Sequence, residues 1–209
     1  MTRFFIDNRE IAPPIDMSSL DLIVKHVQST HLPANSVVRK IRVDGLPVIS
    51  PDDSDRIPVI FDQIDKKQTV EIFTGTLTEI AAESIAEALS YLDRIESATP
   101  SLAESFRFCP GPGSFENLRQ LCEGFYWLNM LLDKLESNFH VSLDAVVIEG
   151  VSAPQYHKKF ISILKQLVES QESGDLVLIS DLLEYEIVPF VAVWRDILRA
   201  VSAKIAMTQ

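Results

Sequence analysis

The sequence predicts an α+β protein. A small mixed β module over residues 1–75 precedes an antiparallel bundle of four or five helices over residues 76–209. Three observations predict it. Hairpin turn signals and β-prone runs crowd the stretch before Gly75. After it, apolar residues recur at spacings of three and four for about 130 residues. Acidic charge follows the same division: residues 1–75 carry 9 Lys/Arg against 11 Asp/Glu, and residues 76–209 carry 10 against 19.

In the first part, residues 3–12 (RFFIDNREIA) are β-prone at both ends of Asp7-Asn8. Asp and Asn tolerate the positive φ of a tight turn, so a hairpin is expected there, ended by Pro13 and Pro14. Ser18 can cap a short helix with Leu20, Ile23, Val24 and Val27 on one face, finished before Pro33. Val37, Val38, Ile41 and Val43 lead into Asp44-Gly45, a type I′ signal, and Leu46, Val48 and Ile49 return. Ser50 to Arg56 reads as acidic loop, and Thr69 to Phe73 as a last strand. The order hairpin, helix, hairpin, strand resembles a β-grasp, or ubiquitin-like, module. A likeness of element order implies a fold and no activity.

In the second part, Thr76 and Glu79 form a capping box. Ala81, Ile85, Ala88, Leu92 and Ile95 make a bundle seam. Glu79, Glu83 and Glu87 form a stripe whose like charges cost about a few tenths of a kcal/mol per pair, and which reads as a solvated face. Residues 98–113 read as the longest break in the helical region, a short amphipathic piece from Ser101 to Phe108 and then a mobile Cys109-Pro-Gly-Pro-Gly113 segment. Ser114 is the expected cap of the next helix. Its seam is Leu118, Leu121, Phe125, Leu128, Leu132 and Leu135. Tyr126 and Trp127 lie off that seam and are free to meet the N-terminal module or a partner. Residues 139–151 read as a short helix, with a strand over Ala145 to Ile148 as the alternative. Ser152 and Gln155 form a second capping box with Pro154 in the first turn. Tyr156, Phe160, Ile163 and Leu167 are the buried face, and Gly174 is the C-cap glycine. The last helix, Asp175 to Met207, carries Leu176, Ile179, Leu183, Ile187, Phe190, Trp194, Ile197 and Val201. Its doubled four-residue step is a stutter just before Pro189, so a kink in the helix is expected near Tyr185 to Pro189.

Composition excludes several functions. A net charge of −11 repels phosphate backbones and anionic membranes, so neither nucleic acid nor a membrane is the expected partner. The stretch Met1-Thr-Arg-Phe-Phe-Ile-Asp lacks the apolar run of a signal peptide, and two cysteines make no disulfide scaffold, so a reducing cytoplasm is expected. His26, His31, His140 and His157 lack metal-ligand spacing, and no nucleotide loop or nucleophile elbow occurs, so no cofactor or metal is expected.

The Asp181 to Pro189 segment and the Val37 to Ile49 hairpin resemble stretches of uncharacterised bacterial cytoplasmic proteins. The acidic, capped helical part is similar in general character to flagellar export chaperones, which wrap an aggregation-prone helix. That likeness implies a non-enzymatic binding or adaptor protein, with a protein partner and room for a homo-oligomer. The candidate partner surface is the acidic pair Asp181 and Glu184 with the aromatics Tyr126, Trp127 and Trp194. The alternative is an enzyme whose site is assembled between the two parts from Asp181, Glu184, Tyr185, His157 and Cys109.

Overall fold

The structure, a computed structural model, describes residues 2–13, 20–33, 35–49 and 68–207. The expected cap at Ser18 and the loop Ser50 to Arg56 lie outside these residues. The chain divides into two compact units, Met1–Ile80 and Ala81–Gln209.

The first unit is a five-stranded mixed sheet with one helix. Strands β1 (Arg3–Ile6) and β2 (Arg9–Ile11) form a hairpin, followed by α1 (Leu20–Thr30). A second hairpin, β3 (Ser36–Val43) with β4 (Leu46–Ile49), precedes β5 (Thr69–Thr76). The order across the sheet is β2-β1-β5-β3-β4. Only β1 and β5 are parallel, with Phe4 opposite Val70 and Ile6 opposite Ile72. This is the β-grasp-like order that the sequence suggested.

Both turns form where the residues demand positive φ: Asp7 and Asn8 at 46° and 66°, Asp44 and Gly45 at 51° and 81°. The two aspartates also tie their hairpins to β5. Asp7 accepts from the Thr74 amide (2.9 Å) and hydroxyl (2.5 Å), and Asp44 accepts from the Thr69 amide (2.8 Å). Phe4, Ile23, Val27, Ile41, Val70 and Ile72 are the core between sheet and helix.

The second unit is helical. Helix α2 (Leu77–Phe108) opens on the expected capping box: Glu79 accepts the Thr76 amide (2.9 Å) and Thr76 Oγ1 accepts the Glu79 amide (3.1 Å). Hydrogen bonding from Thr76, its amide first and then its side chain, holds the Glu79 carboxyl below the ordinary carboxylate range. The break expected from residue 98 does not begin there, and α2 runs through Pro100 to Phe108. A proline removes one helical donor, but Ile95, Thr99, Leu102, Ala103 and Phe106 continue the buried face through it, and packing decides.

The linker shrinks to Cys109–Gly111 before α3 (Pro112–Phe139). Gly111 takes the cap position, and Ser114 lies three residues inside, where its hydroxyl accepts the Gly111 amide (3.3 Å). Helices α2 and α3 run antiparallel, since Phe106 packs on Phe115 and Tyr91 on Trp127.

The short helix expected over 139–151 is replaced by a 3-10 turn, Leu143–Ala145, and a two-residue hairpin, β6 (Val147–Ile148) with β7 (Val151–Ser152). Glu149 and Gly150 both adopt positive φ (50° and 81°), a hairpin-turn conformation that no helix admits. Helix α4 (Ala153–Ser173) starts as read, with the Ser152 amide donating to Gln155 (3.2 Å), and ends at Gly174 with φ 71°. Asp175 then caps α5 (Leu176–Asp181), accepting the Leu178 amide at 3.0 Å.

Between α5 and α6 (Val188–Met207) the helix does not stop. It changes pitch over Leu182–Ile187, where the Val188 amide donates to the carbonyl of Leu183, five residues back. The π turn lies just before Pro189, where the sequence suggested a kink. The core of the unit gathers Leu92, Phe125, Leu128, Phe160, Leu183 and Val191, all fully buried or nearly so. Among the described residues no helix is long and apolar enough to cross a membrane.

Candidate functional site

The aromatic residues off the α3 seam do face outward. Tyr126 is 68% exposed and Trp127 37% exposed. Met130, four residues beyond Tyr126, lies on the same face and is 40% exposed. Trp127 is anchored on one side: its ring meets the edge of Tyr91 from α2, with centroids 6.0 Å apart. Beside them Gly124 leaves a small hollow, bordered by Glu87, Tyr91, Arg94 and Trp127. Arg94 sits over the Tyr91 ring at 5.3 Å, a cation–π contact, and burial pushes the Tyr91 phenol up. Glu123 is exposed next to this face and paired with Arg119 in the turn before it. The result is an aromatic and thioether ridge with carboxylates at its edges.

Trp194 does not join that surface. It is 2% exposed and packs against Phe125 and Phe160, with centroids at 6.5 and 5.9 Å. The seam of the last helix includes it, and the seam is buried. Its ring also lines a separate cleft of about 440 Å3 between α3, the 3-10 turn, α4 and α6. His157 lines the same cleft.

Asp181 and Glu184 are brought together by a residue that the sequence reading missed. Arg107, in the last turn of α2, donates to Glu184 at 2.7 Å and approaches Asp181 at 3.5 Å. The Glu184 carboxylate, then Asp181, hold the guanidinium above its ordinary range. Tyr185 is 63% exposed on the same turn. The seventy-odd residues between Arg107 and its partners hide the pairing from any spacing rule. A second buried-side clamp has the same form: Arg195 of α6 reaches Asp93 (2.9 Å) and Glu96 (2.6 Å) of α2. These two clamps fix α2 antiparallel to the last helix.

Cys109 is exposed and Cys122 half-buried, both as free thiols, and burial raises the Cys122 thiol. Among the described residues no group of His, Cys, Asp and Glu is arranged to hold a metal ion.

The model of a domain of unknown function, DUF8042, matches residues 83–197. The chain belongs to the DUF8042 family. The DUF8042 match covers α2 beyond its first turns, all of α3, α4 and α5, and half of α6. It therefore takes in the outward face of α3, the Arg107 clamp and the cleft under Trp194. No curated protein and no solved structure matches the chain.

Proposed function

We propose that this DUF8042 protein is a non-enzymatic cytoplasmic binding or adaptor protein, chaperone-like in character, that docks a basic, amphipathic protein segment on the outward face of α3. The observation that carries the reading is the exposed pair Tyr126 and Trp127 with Met130, set on a rigid helix inside a strongly acidic unit. Rigid aromatics bury large area at small entropic cost and dominate interface energies. Carboxylates at the edge add steering and choice of partner rather than affinity. The same charge argues for a different chain as the occupant over a second copy, because two copies would bring like-charged faces together. The enzymatic alternative gains no support from the Asp181–Glu184 pair, whose carboxylates are engaged by Arg107.

The test is a binding measurement with a partner cross-linked through a photoreactive residue at position 126 and then purified. Tyr126→Ala and Trp127→Ala should each weaken it by about ten- to a hundredfold. Tyr126→Ala should leave the melting temperature within about 2 °C, because the ring is exposed. Unchanged affinity in both variants overturns the proposal.

A further inference from the structure

We propose that the cavity between α2 and the first half of α3 binds a small hydroxylated organic anion, a sugar phosphate or a sugar acid, through Arg94. The first observation is the arginine itself. The helical unit holds five arginines, and Arg107, Arg119, Arg195 and Arg199 each reach a carboxylate. Arg94 reaches none among the described residues, although the unit is strongly acidic. Its acidic neighbours on α2, Asp93 and Glu96, are held by Arg195. Glu116 and Glu123, on either side of Gln120 in α3, are held by Arg119. What holds Arg94 is the Tyr91 ring, at 5.3 Å from its guanidinium carbon. Stacking engages the face of a guanidinium and leaves its N–H edge, the part that grips a carboxylate or phosphate by two bonds, unused.

The second observation is the cavity that Arg94 lines. Its volume, about 670 Å3, lies in the range of small-molecule sites. Among the described residues Arg94 is the one charged side chain that lines it, and no carboxylate does. In a chain of net charge −11 this cavity is a local exception, and its lone positive charge selects an anion. Ile95, Leu102 and Leu121 give it an apolar side. Ser101 of α2 and Asn117 of α3 line it from the two helices, with side chains that hydrogen-bond to no other described residue. A hydroxyl and a carboxamide both donate and accept, so they match the hydroxyl groups of a ligand rather than a hydrocarbon body. Arg94 and Ser101 stand two turns apart, about 10 Å along α2. A ligand that reaches both is longer than a bare anion, and a hexose with an anionic arm has the required length.

The site does not depend on the docking of a protein segment, and the experiment separates the two. Glucose 6-phosphate and glucuronate are titrated into the full chain and followed by 15N amide shifts. At least one of them should move the amides of Arg94, Ser101 and Asn117 saturably, and should do so equally in Tyr126→Ala. Glucose, which keeps the hydroxyls and lacks the charge, and inorganic phosphate, which keeps the charge and lacks the body, should each bind at least tenfold more weakly. Arg94→Gln should weaken the anion at least tenfold, with its thermal melt serving as the control for folding. If that variant fails to fold, Ala98→Phe replaces it: it fills the cavity, keeps Arg94, and should weaken the anion as much. The proposal is overturned if neither anion moves these amides up to about 10 mM. Equal binding of glucose or of inorganic phosphate, or unchanged binding in a folded Arg94→Gln or Ala98→Phe variant, overturns it as well.

Discussion

Gly124 decides how closely α2 and α3 approach. A Cβ built there would lie 1.6 Å from the Tyr91 hydroxyl and 2.2 Å from its Cζ. The ring of Tyr91 therefore occupies the space that any other residue at 124 would fill. It is further seated by a hydrogen bond to the Gln120 carbonyl (3.4 Å) and by the edge of Trp127. Gly124→Ala should destabilise the protein by about 1–3 kcal/mol, because the ring must leave its place. Tyr91→Ala should remove most of that penalty, so the double variant costs less than the sum of the two. Urea denaturation of the four proteins gives the coupling, and simple additivity would sink this account. From sequence alone Gly124 is only a weak point in a helix, since its partner lies 33 residues earlier on another element. Trp194 teaches the complementary lesson. Its seam position placed it in the core, and its aromatic character suggested a surface anchor. The seam is the stronger signal because burial follows periodicity, whereas an aromatic ring serves either place.

At the scale of elements, caps and turns were legible because they are local. The boxes at Thr76 and Ser152, the C-cap at Gly174 and both hairpins of the sheet form where the residues place them. Misreadings came where packing overrides a local signal, as over residues 98–108, or where the signal was read with the wrong period, as at Glu149-Gly150. The π turn is the more instructive case. Ile179, Leu183 and Ile187 are fully buried at two successive steps of four. A wider turn carries such steps to one face better than 3.6 residues do. Pro189 sits just past this turn and lacks a donor, so proline and spacing are separate candidate causes. Pro189→Ala separates them. Restoring one amide is worth about 0.5–1.5 kcal/mol net. Reversion to α pitch would rotate one end of the seam by about 100° per residue shifted and expose an apolar side chain at about 1.5–3 kcal/mol. Packing wins, and the π turn over Leu182–Ile187 should persist in the variant. A crystal structure showing regular α hydrogen bonds there would mean that the proline, not the seam, creates it.

For the whole molecule, the change in sequence pattern at Gly75 lies close to the division between the two compact units, but not on it. Strand β5 runs on to Thr76, and the first turn of α2 stays with the sheet, where the Leu77 amide donates to the Asn35 carbonyl at 3.1 Å. The first unit thus extends to Ile80. Each unit nevertheless has its own hydrophobic core. That of the helical unit starts at Ala81 and runs to Ile205 with no residue of the sheet in it. A core of that kind carries its own stability, because the apolar area it removes from water is buried within one unit. A fragment comprising residues 76–209 should therefore fold alone, with strong helical circular dichroism and a cooperative melt. Its first residue matters. Starting at Thr76 keeps the reciprocal bonds between Thr76 and Glu79, whereas starting at Ala81 discards the cap and frays α2. Loss of an N-cap is worth about 1 kcal/mol, so the shorter fragment should melt a few degrees lower than the longer one. If the fragment from Thr76 shows helix without a cooperative transition, the helical unit depends on the sheet for its fold.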